Sequence, residues 1–333
     1  MGAWYNENNS GIVVSTRVRL ARNLSGMPFP SRMTDQQRKE LKEKVKNAIK
    51  DSNTPFADNL NFIDMSSVPQ NEILAMVERH VISPEFAKSD KDRAIILSND
   101  ESISIMIGEE DHIRIQVILS GLQLENAYDI AERLDTLLYS SLGFAFDREL
   151  GFLTECPTNL GTGLRASVML HLPVCESNRE IDNLSEMVSK IGFTFRGLYG
   201  EGSKSQASLY QVSNQITLGL SEKTAIENLK AITNQLITKE EQARARLNRI
   251  KIEDLTFRAL GVLKNARILS SKESMNLISR IKLGLDMGII NENINPISLL
   301  VESGPFMLMK KHGEVSPEER DIIRASEFRE KLN

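Results

Sequence analysis

The sequence predicts a chain of mixed strands and helices, with the strands in its first two-thirds and only helices toward its end. Four short stretches alternate between two kinds of position, one of them apolar and the other mostly polar, and this period of two is typical of half-buried strands. After about Lys251 the apolar residues instead recur every three or four positions, as they do on one face of a helix. The alternating stretches are residues 12–20, 102–107, 112–117 and 164–172.

Composition and charge limit the class of protein. The 333 residues are 41% hydrophobic and 26% charged, as in a globular chain of one large or two modest domains. The net charge of −4 implies no general attraction to nucleic acid or to acidic membranes. Cys156 and Cys175 have no paired spacing, so neither a disulfide framework nor a zinc site is indicated. Because no apolar run approaches a membrane span and the N-terminus lacks a signal pattern, we expect a cytoplasmic protein.

The first predicted strand, residues 12–20, carries two arginines on one face. Arg17 and Arg19 lie two positions apart and follow Ser15 on that face, while Val14, Thr16, Val18 and Leu20 point to the other. Neighbouring guanidinium groups repel each other unless an anion lies between them, so the face indicates an anion site. An exposed strand face with solvated charges is the alternative.

Two helices and a hairpin are predicted next. Thr34 and Gln37 form a capping box for a helix over 34–49, and a second helix over 71–81 ends near His80. A lone histidine is more often a structural hydrogen bonder than a ligand. Residues 108–111 join two alternating stretches, which is a hairpin signal. Acids at a turn are usually solvated, but Arg114 shares a face with Glu110, which makes that turn a candidate site.

The stretch from Glu155 to Met169 combines a turn, two glycines and a strand. Pro157 and Asn159 favour the turn, and Gly161 and Gly163 permit conformations or close approaches that a side chain would forbid. Arg165 then begins the strand. A thiol at Cys156 before this loop suggests an anion site with a thiol at its edge; a hairpin corner with a surface arginine is the alternative.

Helices are predicted over 126–142 and 180–191, and a short alternating run at 193–196 leads into a glycine-rich segment up to Ser203. That segment is either a plain connection or a lid over reacting groups. Beyond Lys251 further helices follow, and Ser316-Pro317-Glu318-Glu319 begins the last one. Arg320 and Arg324 are four residues apart on one face of it, where local ion pairs on a solvated helix are the simple interpretation.

The eight residues from Cys156 to Gly163 resemble the signature of the phosphagen kinases, the creatine and arginine kinase family, which phosphorylate guanidinium groups with ATP. Other segments are similar to further motifs of the family: the Ser-x-Arg-x-Arg nucleotide motif at 15–19, the segment around His80, and the catalytic hairpin at 104–114. In the hairpin, Gly108 stands where creatine kinases usually have asparagine.

Two segments narrow the resemblance to the bacterial protein-arginine kinases of the McsB type. Residues 196–202, Arg-Gly-Leu-Tyr-Gly-Glu-Gly, are similar to a loop of those enzymes. Arg-Asp-x-x-Arg-Ala at 320–325 matches their phosphoarginine-binding motif. Since the first-strand motif begins at Ser15, we expect no N-terminal helical domain of the kind that small-guanidine kinases have.

The resemblance implies an α+β fold, with an antiparallel saddle-like sheet flanked by helices and an all-helical C-terminal domain. The strand pattern agrees with this fold but does not specify its topology. We expect an ATP:guanido phosphotransferase catalytic domain over 1–243 and a helical domain over 250–333, for phosphoarginine binding and oligomerisation.

The resemblance also implies roles for individual residues. Glu110 would orient the substrate guanidinium and accept its proton, Glu201 would hold a second edge of it, Glu109 is a further acidic candidate, and Cys156 would tune the site. The implied nucleotide-binding residues are Ser15, Thr16, Arg17, Val18, Arg19, His80, Arg114, Arg165, Ala166, Ser167, Val168, Met169, Arg196, Gly197, Leu198, Tyr199, Gly200 and Glu201. The implied phosphoarginine-binding residues are Arg320, Asp321, Arg324 and Ala325.

The implied cofactor is ATP with Mg²⁺, the metal being held by ATP and water rather than by dedicated protein ligands. The implied partners are protein substrates, among them unfolded proteins and a heat-shock repressor, a zinc-finger activator protein, a Clp unfoldase-protease, and further copies of the chain in a homodimer or higher oligomer. The implied setting is the bacterial stress response. A small-guanidine phosphagen kinase and a non-catalytic phosphoarginine-binding adaptor are the alternatives.

Overall fold

The computed structural model describes residues 3–7, 11–52, 57–197 and 207–332. Within the described residues, strands alternate with helices up to residue 214, and helices alone follow. The elements in chain order are β1 (Val13–Arg22), α1 (Asp35–Lys50), β2 (Leu60–Asp64), α2 (Gln70–Glu78), α3 (Pro84–Lys88), β3 (Ala94–Ser98), β4 (Ile103–Ile107), β5 (Ile113–Ser120), α4 (Leu124–Leu142), β6 (Phe146–Asp147), β7 (Gly151–Phe152), β8 (Leu164–His171), α5 (Pro173–Ser177), α6 (Ile181–Lys190), β9 (Phe193–Gly197), β10 (Leu209–Asn214), α7 (Glu222–Ala245), α8 (Arg249–Asn265), α9 (Ser271–Asp286), α10 (Pro296–Glu302), α11 (Pro305–His312) and α12 (Pro317–Leu332).

Eight of these strands form one sheet in the order β2-β3-β4-β5-β1-β8-β10-β9, and β6 pairs with β7 in a separate ribbon. The pairs β2·β3, β3·β4, β4·β5 and β5·β1 are antiparallel. An antiparallel sheet flanked by helices, with a helical C-terminal region, confirms the expected α+β class. No helix of the described residues is both long and apolar enough to cross a bilayer.

The chain divides into two compact units. The first comprises Met1–Trp4, Ser15–Ser167 and Ser213–Lys230, and the second comprises Tyr5–Val14, Val168–Val212 and Ala231–Asn333. The candidate groups on β1 from Ser15 onward, on β5 and in the signature loop, which we define as residues 156–163, all belong to the first unit.

The register of β1 against β5 fixes which side chains share a face. Arg19 lies opposite Gln116 and Ala21 opposite Arg114, so Arg19 and Arg114 are diagonal neighbours on one face. On the other face Val18 pairs with Val117, and both are fully buried. Helix α4 packs against β5 and buries its own apolar stripe, which includes Ala127 and Leu134. At β1 and β5 one face is therefore core and the other carries the charged residues, whereas at β3 and β4 that second face is covered by an apolar cluster around Met106 and Phe86.

Local sequence signals explain where the first helices begin and end. The capping box before α1 is present, since Thr34 Oγ1 accepts from the amide of Gln37 at 3.3 Å and the Gln37 side chain accepts from the amide of Thr34 at 2.9 Å. Helix α2 ends at Glu78, three residues before the predicted end. His80 adopts a φ of +61°, a left-handed conformation that does not continue a helix.

A buried ionic network holds the second unit together. Lys282 and Asp286 on α9 form an ion pair of 3.0 Å, and Arg244 on α7 pairs with Asp286 at 3.2 Å and with Glu240 at 2.9 Å. His171, at the end of β8, donates to or accepts from Ser279 on α9 at 2.8 Å. Each charge in this network has an opposite charge beside it, which buried charges require.

Candidate active site

The strand β1 directs Arg17 and Arg19 to the charged face, where Arg114 and Arg165 join them. The pKa of Arg17 falls to about 10, first because the side chain is desolvated and then because Arg165 and Arg114 are close. Burial and the positive charges of Arg17, Arg114 and Arg165 lower the pKa of Arg19 further. The four guanidinium groups thus lie close enough to lower one another's pKa, and they concentrate positive charge on this face.

This arginine cluster is held by the pairing of β1 with the start of β8. The amide of Ala21 donates to the carbonyl of Gly163 at 2.9 Å. Ala166, next to Arg165, donates its amide to the Asn214 side chain at 2.8 Å. The strand neighbours of the arginines are all buried. Alternation turns Thr16, Val18 and Ala166 to the opposite face, whereas Ser15 and Ser167 share the face of the arginines, and Val168 and Met169 follow farther along β8.

The β4–β5 hairpin carries two carboxylates with different surroundings. Glu109 is buried and pairs with Arg114 at 2.6 Å, whereas Glu110 is 45% exposed and pairs with the same guanidinium at 3.2 Å. Burial raises the pKa of Glu109, against the effect of Arg114 and of a hydrogen bond from Ser83. Glu110 also accepts from Asn159 of the signature loop at 3.5 Å. Glu110 is thus the carboxylate that an incoming group can reach.

A buried aspartate that the sequence analysis did not single out positions this hairpin. Asp111 is fully buried, and its Oδ1 accepts from the Asn23 side chain at 2.7 Å and from the amide of Glu155 at 2.8 Å. Asn23 in turn accepts from the amide of His112 at 2.8 Å. The turn that bears Glu110 is therefore tied to the residue before Cys156. The acid run at 109–111 was a visible signal, but the partners of Asp111 were not.

The signature loop needs its glycines for close packing. Gly161 has a φ of +108°, and a Cβ there would lie 2.3 Å from the carbonyl oxygen of Thr217. Gly163 has a φ of +62°, and a Cβ there would lie 2.6 Å from the carbonyl oxygen of Ala21. Cys156, at the start of the loop, is a half-buried free thiol whose Sγ lies 3.0 Å from Thr158 Oγ1.

Arg22 is a second positioning residue that the sequence analysis missed. It is 2% exposed, its Nε lies 2.9 Å from Asp135, and its NH1 donates to the carbonyl of Thr162 at 2.9 Å. Its guanidinium also stacks over the Phe152 ring at 3.6 Å. It therefore fastens the signature loop to α4. A charged residue at the end of an apolar strand was the only signal, because Asp135 is far away in sequence.

His80 lies near the arginine cluster. Burial, followed by the positive charge of Arg17, lowers the pKa of His80 to about 3, so the imidazole is neutral. The ring of Trp4 lies 6.0 Å from it, centroid to centroid. A neutral ring beside aromatic surface is compatible with a base pocket, and its role toward adenine stays a prediction.

The other predicted nucleotide-binding residues belong to the second unit or fall outside the described residues. Arg196 is half-buried on β9, in the second unit, and Gly197 ends that strand. Leu198, Tyr199, Gly200 and Glu201 lie outside the described residues. The roles expected for these residues stay predictions.

The predicted phosphoarginine-binding residues lie on α12, where they differ in burial. Arg324 is 1% exposed and donates to the carbonyls of Ser303 at 3.0 Å and Leu269 at 2.8 Å, and to the Asp321 side chain at 2.5 Å. Ala325 is fully buried. Arg320 is half-buried, and its NH1 lies 3.2 Å from the Met309 sulfur.

Two family models match the chain in succession. The model described as ATP:guanido phosphotransferase, C-terminal catalytic domain, matches residues 40–243. The model described as protein-arginine kinase McsB C-terminal domain matches residues 249–333. Together they span the sheet from β2 onward and the C-terminal helices.

Curated relatives of similar length are named protein-arginine kinase. A protein-arginine kinase of Clostridium kluyveri is 46% identical over 98% of this chain and 96% of its own. One from Caldanaerobacter subterraneus subsp. tengcongensis is 41% identical over 97% of both chains. The solved structure of a lombricine kinase shares the fold, with a TM-score of 0.63 and 21% identity over 74% of this chain and 73% of that one. The chain therefore belongs to the ATP:guanido phosphotransferase family and, within it, to the protein-arginine kinases of the McsB type.

Proposed function

We propose that this chain transfers the γ-phosphoryl group of ATP to arginine side chains of proteins. The observation that carries the proposal is the surface of the first unit, on which Arg17, Arg19, Arg114 and Arg165 meet beside Glu109 and Glu110. The names of the curated relatives support the choice of protein arginine as acceptor.

The arginine cluster fits the phosphates of ATP in charge and chemistry. Its guanidinium groups repel one another, and a polyphosphate would neutralise them through charge-assisted, bidentate hydrogen bonds. The described residues contain no group of three His, Cys, Asp or Glu side chains that could hold a metal. We therefore propose that Mg²⁺ enters with the phosphates and is bound by them and by water.

The two carboxylates would serve the activation of the substrate guanidinium. A substrate guanidinium has a pKa above about 12 and becomes nucleophilic only as it loses a proton. Glu110 is the exposed carboxylate of the pair, and it would orient that guanidinium and accept its proton. Glu109 is buried against Arg114 and would keep that arginine directed at the phosphates. Cys156 would lie at the edge of the guanidinium, and Glu201 would hold its other side.

The test combines phosphoarginine detection with one substitution. With ATP, Mg²⁺ and an arginine-rich unfolded protein, the wild type should form acid-labile phosphoarginine, and free arginine should be a poor substrate. Glu110→Gln should lower the transfer rate about 10²–10⁴-fold, because the proton acceptor is lost, and should keep nucleotide affinity within a few-fold. Transfer is measured by mass spectrometry under neutral conditions, and nucleotide binding by calorimetry.

The matched control is Glu241→Gln, since Glu241 is an exposed glutamate on α7 that belongs to neither the arginine cluster nor its surroundings. It should leave transfer unchanged. Phosphoarginine at the wild-type rate from Glu110→Gln would remove the assigned role. No phosphoarginine from the wild type, even with an activator protein, would remove the proposed function itself.

The remaining expectations rest on the resemblance. We propose a catalytic domain over 1–243 and a helical domain over 250–333, in which Arg320, Asp321, Arg324 and Ala325 serve phosphoarginine binding. A zinc-finger activator, a Clp unfoldase-protease, a heat-shock repressor as substrate, assembly into dimers or larger oligomers, and a cytoplasmic role in the stress response belong to the same proposal.

A further inference from the structure

A groove with two apolar sides and charged residues along it lies beside the signature loop in the first unit. It is lined by Phe146 and Phe152 of the β6–β7 ribbon and by Leu218 and Leu220 of the segment between β10 and α7. Gly161 of the signature loop lies between the two sides, because a Cβ on Gly161 would meet Leu218 Cα at 2.9 Å and one on Gly151 would meet the Gly161 carbonyl at 2.5 Å. We call this set of side chains the flank groove.

Much of the apolar surface of the flank groove is exposed to solvent. Phe146 is 58% exposed, Leu218 47% and Leu220 38%, and the adjoining Leu150 and Ile216 are 43% and 49% exposed. Single exposed apolar residues are ordinary, but a group of them on adjoining segments is typical of a binding surface. The charged side chains that line the groove are Arg148, Glu149 and Glu222.

The same loop connects the flank groove to the reacting carboxylate. Asn159 contacts Glu110 at 3.5 Å, and the next carbonyl, that of Leu160, accepts from Thr217 Oγ1 at 2.7 Å. Asn159 and Gly161 are two residues apart, so their Cα atoms are at most about 7.6 Å apart. An extended peptide covers that distance in two to three residues, at about 3.3–3.6 Å each.

We propose that the flank groove binds apolar side chains within about five residues of the target arginine in an unfolded polypeptide. This inference rests on the proposed function and names the chemistry of its substrate. Unfolded segments expose the leucine, isoleucine and phenylalanine side chains that folded proteins bury, whereas a free guanidine has no flanking residues to place there. The groove would thus favour unfolded chains over small guanidines and over folded surfaces.

The test uses two arginine peptides of equal length and charge, one with leucine and one with serine around the arginine. The wild type should show about a tenfold lower KM for the leucine peptide, which corresponds to about 1.4 kcal/mol. Leu218→Ser and Phe146→Ser should reduce that preference to less than about twofold, because each removes apolar surface from the groove. Ile191→Ser is the matched control, since Ile191 is 51% exposed in the second unit. It should keep the preference.

A second measurement separates docking from chemistry. Fluorescence anisotropy with the same peptides, the arginine replaced by lysine, reports the flank preference without phosphoryl transfer. An equal Kd for both peptides in the wild type would overturn the proposal, and so would a leucine preference that survives both groove variants. If no peptide is phosphorylated, the proposed function fails while anisotropy still decides the docking. If Leu218→Ser instead converts a larger assembly to a smaller one in sedimentation, the groove is a contact between copies, and the proposal is wrong.

Discussion

At the residue scale, the four guanidinium groups of the arginine cluster destabilise the folded first unit, because like charges are held close together. Arg19 illustrates this, since its pKa is lowered by burial and by three neighbouring cations, and its Nε–H is buried without an acceptor among the described residues. A buried charge among like charges costs stability. We expect this cost to be offset when the proposed nucleotide binds, as for other strained groups at functional sites.

Arg19→Met tests this exchange between stability and binding. Methionine keeps the apolar stem and removes the repelling charge, so without nucleotide the variant should be more stable by about 1 kcal/mol, or a few degrees in Tm. ATP at about a hundred times its Kd should stabilise the wild type by about 2.7 kcal/mol and the variant by much less. Both effects are read from thermal unfolding with and without ATP.

Arg133→Met is the control, because Arg133 is exposed on α4. It should leave both the Tm and the shift with ATP unchanged. An Arg19→Met variant that loses stability and keeps the full ATP shift would show that Arg19 is a structural cation.

Which residues could be read from the sequence depended on how local their signals were. Alternation alone placed Arg17 and Arg19 on one face, and the hairpin pattern placed Glu110 near Arg114. Asp111 and Arg22 were missed because they act through partners 44 and 113 positions away, the amide of Glu155 and the Asp135 carboxylate. Such pairs form only in the folded chain, so no periodicity in the sequence predicts them.

At the element scale, α12 shows that two residues on the same face of a helix can differ in burial. Arg320 and Arg324 share one face by spacing, as expected, but the Arg324 guanidinium is enclosed by the Ser303 and Leu269 carbonyls. Arg324 therefore supports the ends of neighbouring helices, and Arg320 is the more accessible of the two. If the motif binds phosphoarginine, its arginines act in different ways.

Substituting the two arginines separately tests that division. Arg320→Ala should weaken phosphoarginine binding about tenfold and leave the Tm unchanged, because a charge-assisted bidentate contact of about 1.5–3 kcal/mol is lost. Arg324→Ala should lower the stability by about 3 kcal/mol, because it leaves buried carbonyls and Asp321 without their donor. Calorimetry with phosphoarginine and thermal unfolding measure the two effects. Unchanged affinity in Arg320→Ala would return α12 to a purely structural role.

At the scale of the whole molecule, the sequence predicted the class of fold but not its connectivity. The order of the sheet places β1 between β5 and β8, roughly one hundred and one hundred and fifty residues away along the chain. Pairings of such separation leave no local trace, because any alternating strand could take any neighbour. The helix α7 was also missed, although Ala225, Leu229, Ile232 and Leu236 recur at helical spacing.

Each unit has a neutral histidine, half-buried His80 in the first and fully buried His171 in the second, and this makes the stability of the chain depend on pH. Burial and the charge of Arg17 lower the pKa of His80 to about 3 in the first unit. Burial, with Lys282 and Arg244 nearby, lowers the pKa of His171 to about 4 in the second, despite the Asp286 carboxylate 3.9 Å away. Since the unfolded chain binds these protons near pH 6.5, stability is present above that pH and falls as the pH is lowered.

His171→Gln isolates one of these contributions. Between pH 7.5 and 5.5 each such histidine should cost about 1.4 kcal/mol, so the variant should lose that much less stability over the interval than the wild type. The readout is the slope of the unfolding free energy with pH, obtained from urea unfolding at several pH values for the variant and the wild type. The two slopes are compared because Glu109 has a raised pKa and contributes with the opposite sign in both proteins. Asn276→Gln, at an exposed position on α9, is the control; it changes no titratable group and should keep the wild-type slope. An unaltered slope in His171→Gln would mean that the pKa of His171 is the same in the folded and the unfolded chain, so that the Asp286 carboxylate offsets the effect of burial.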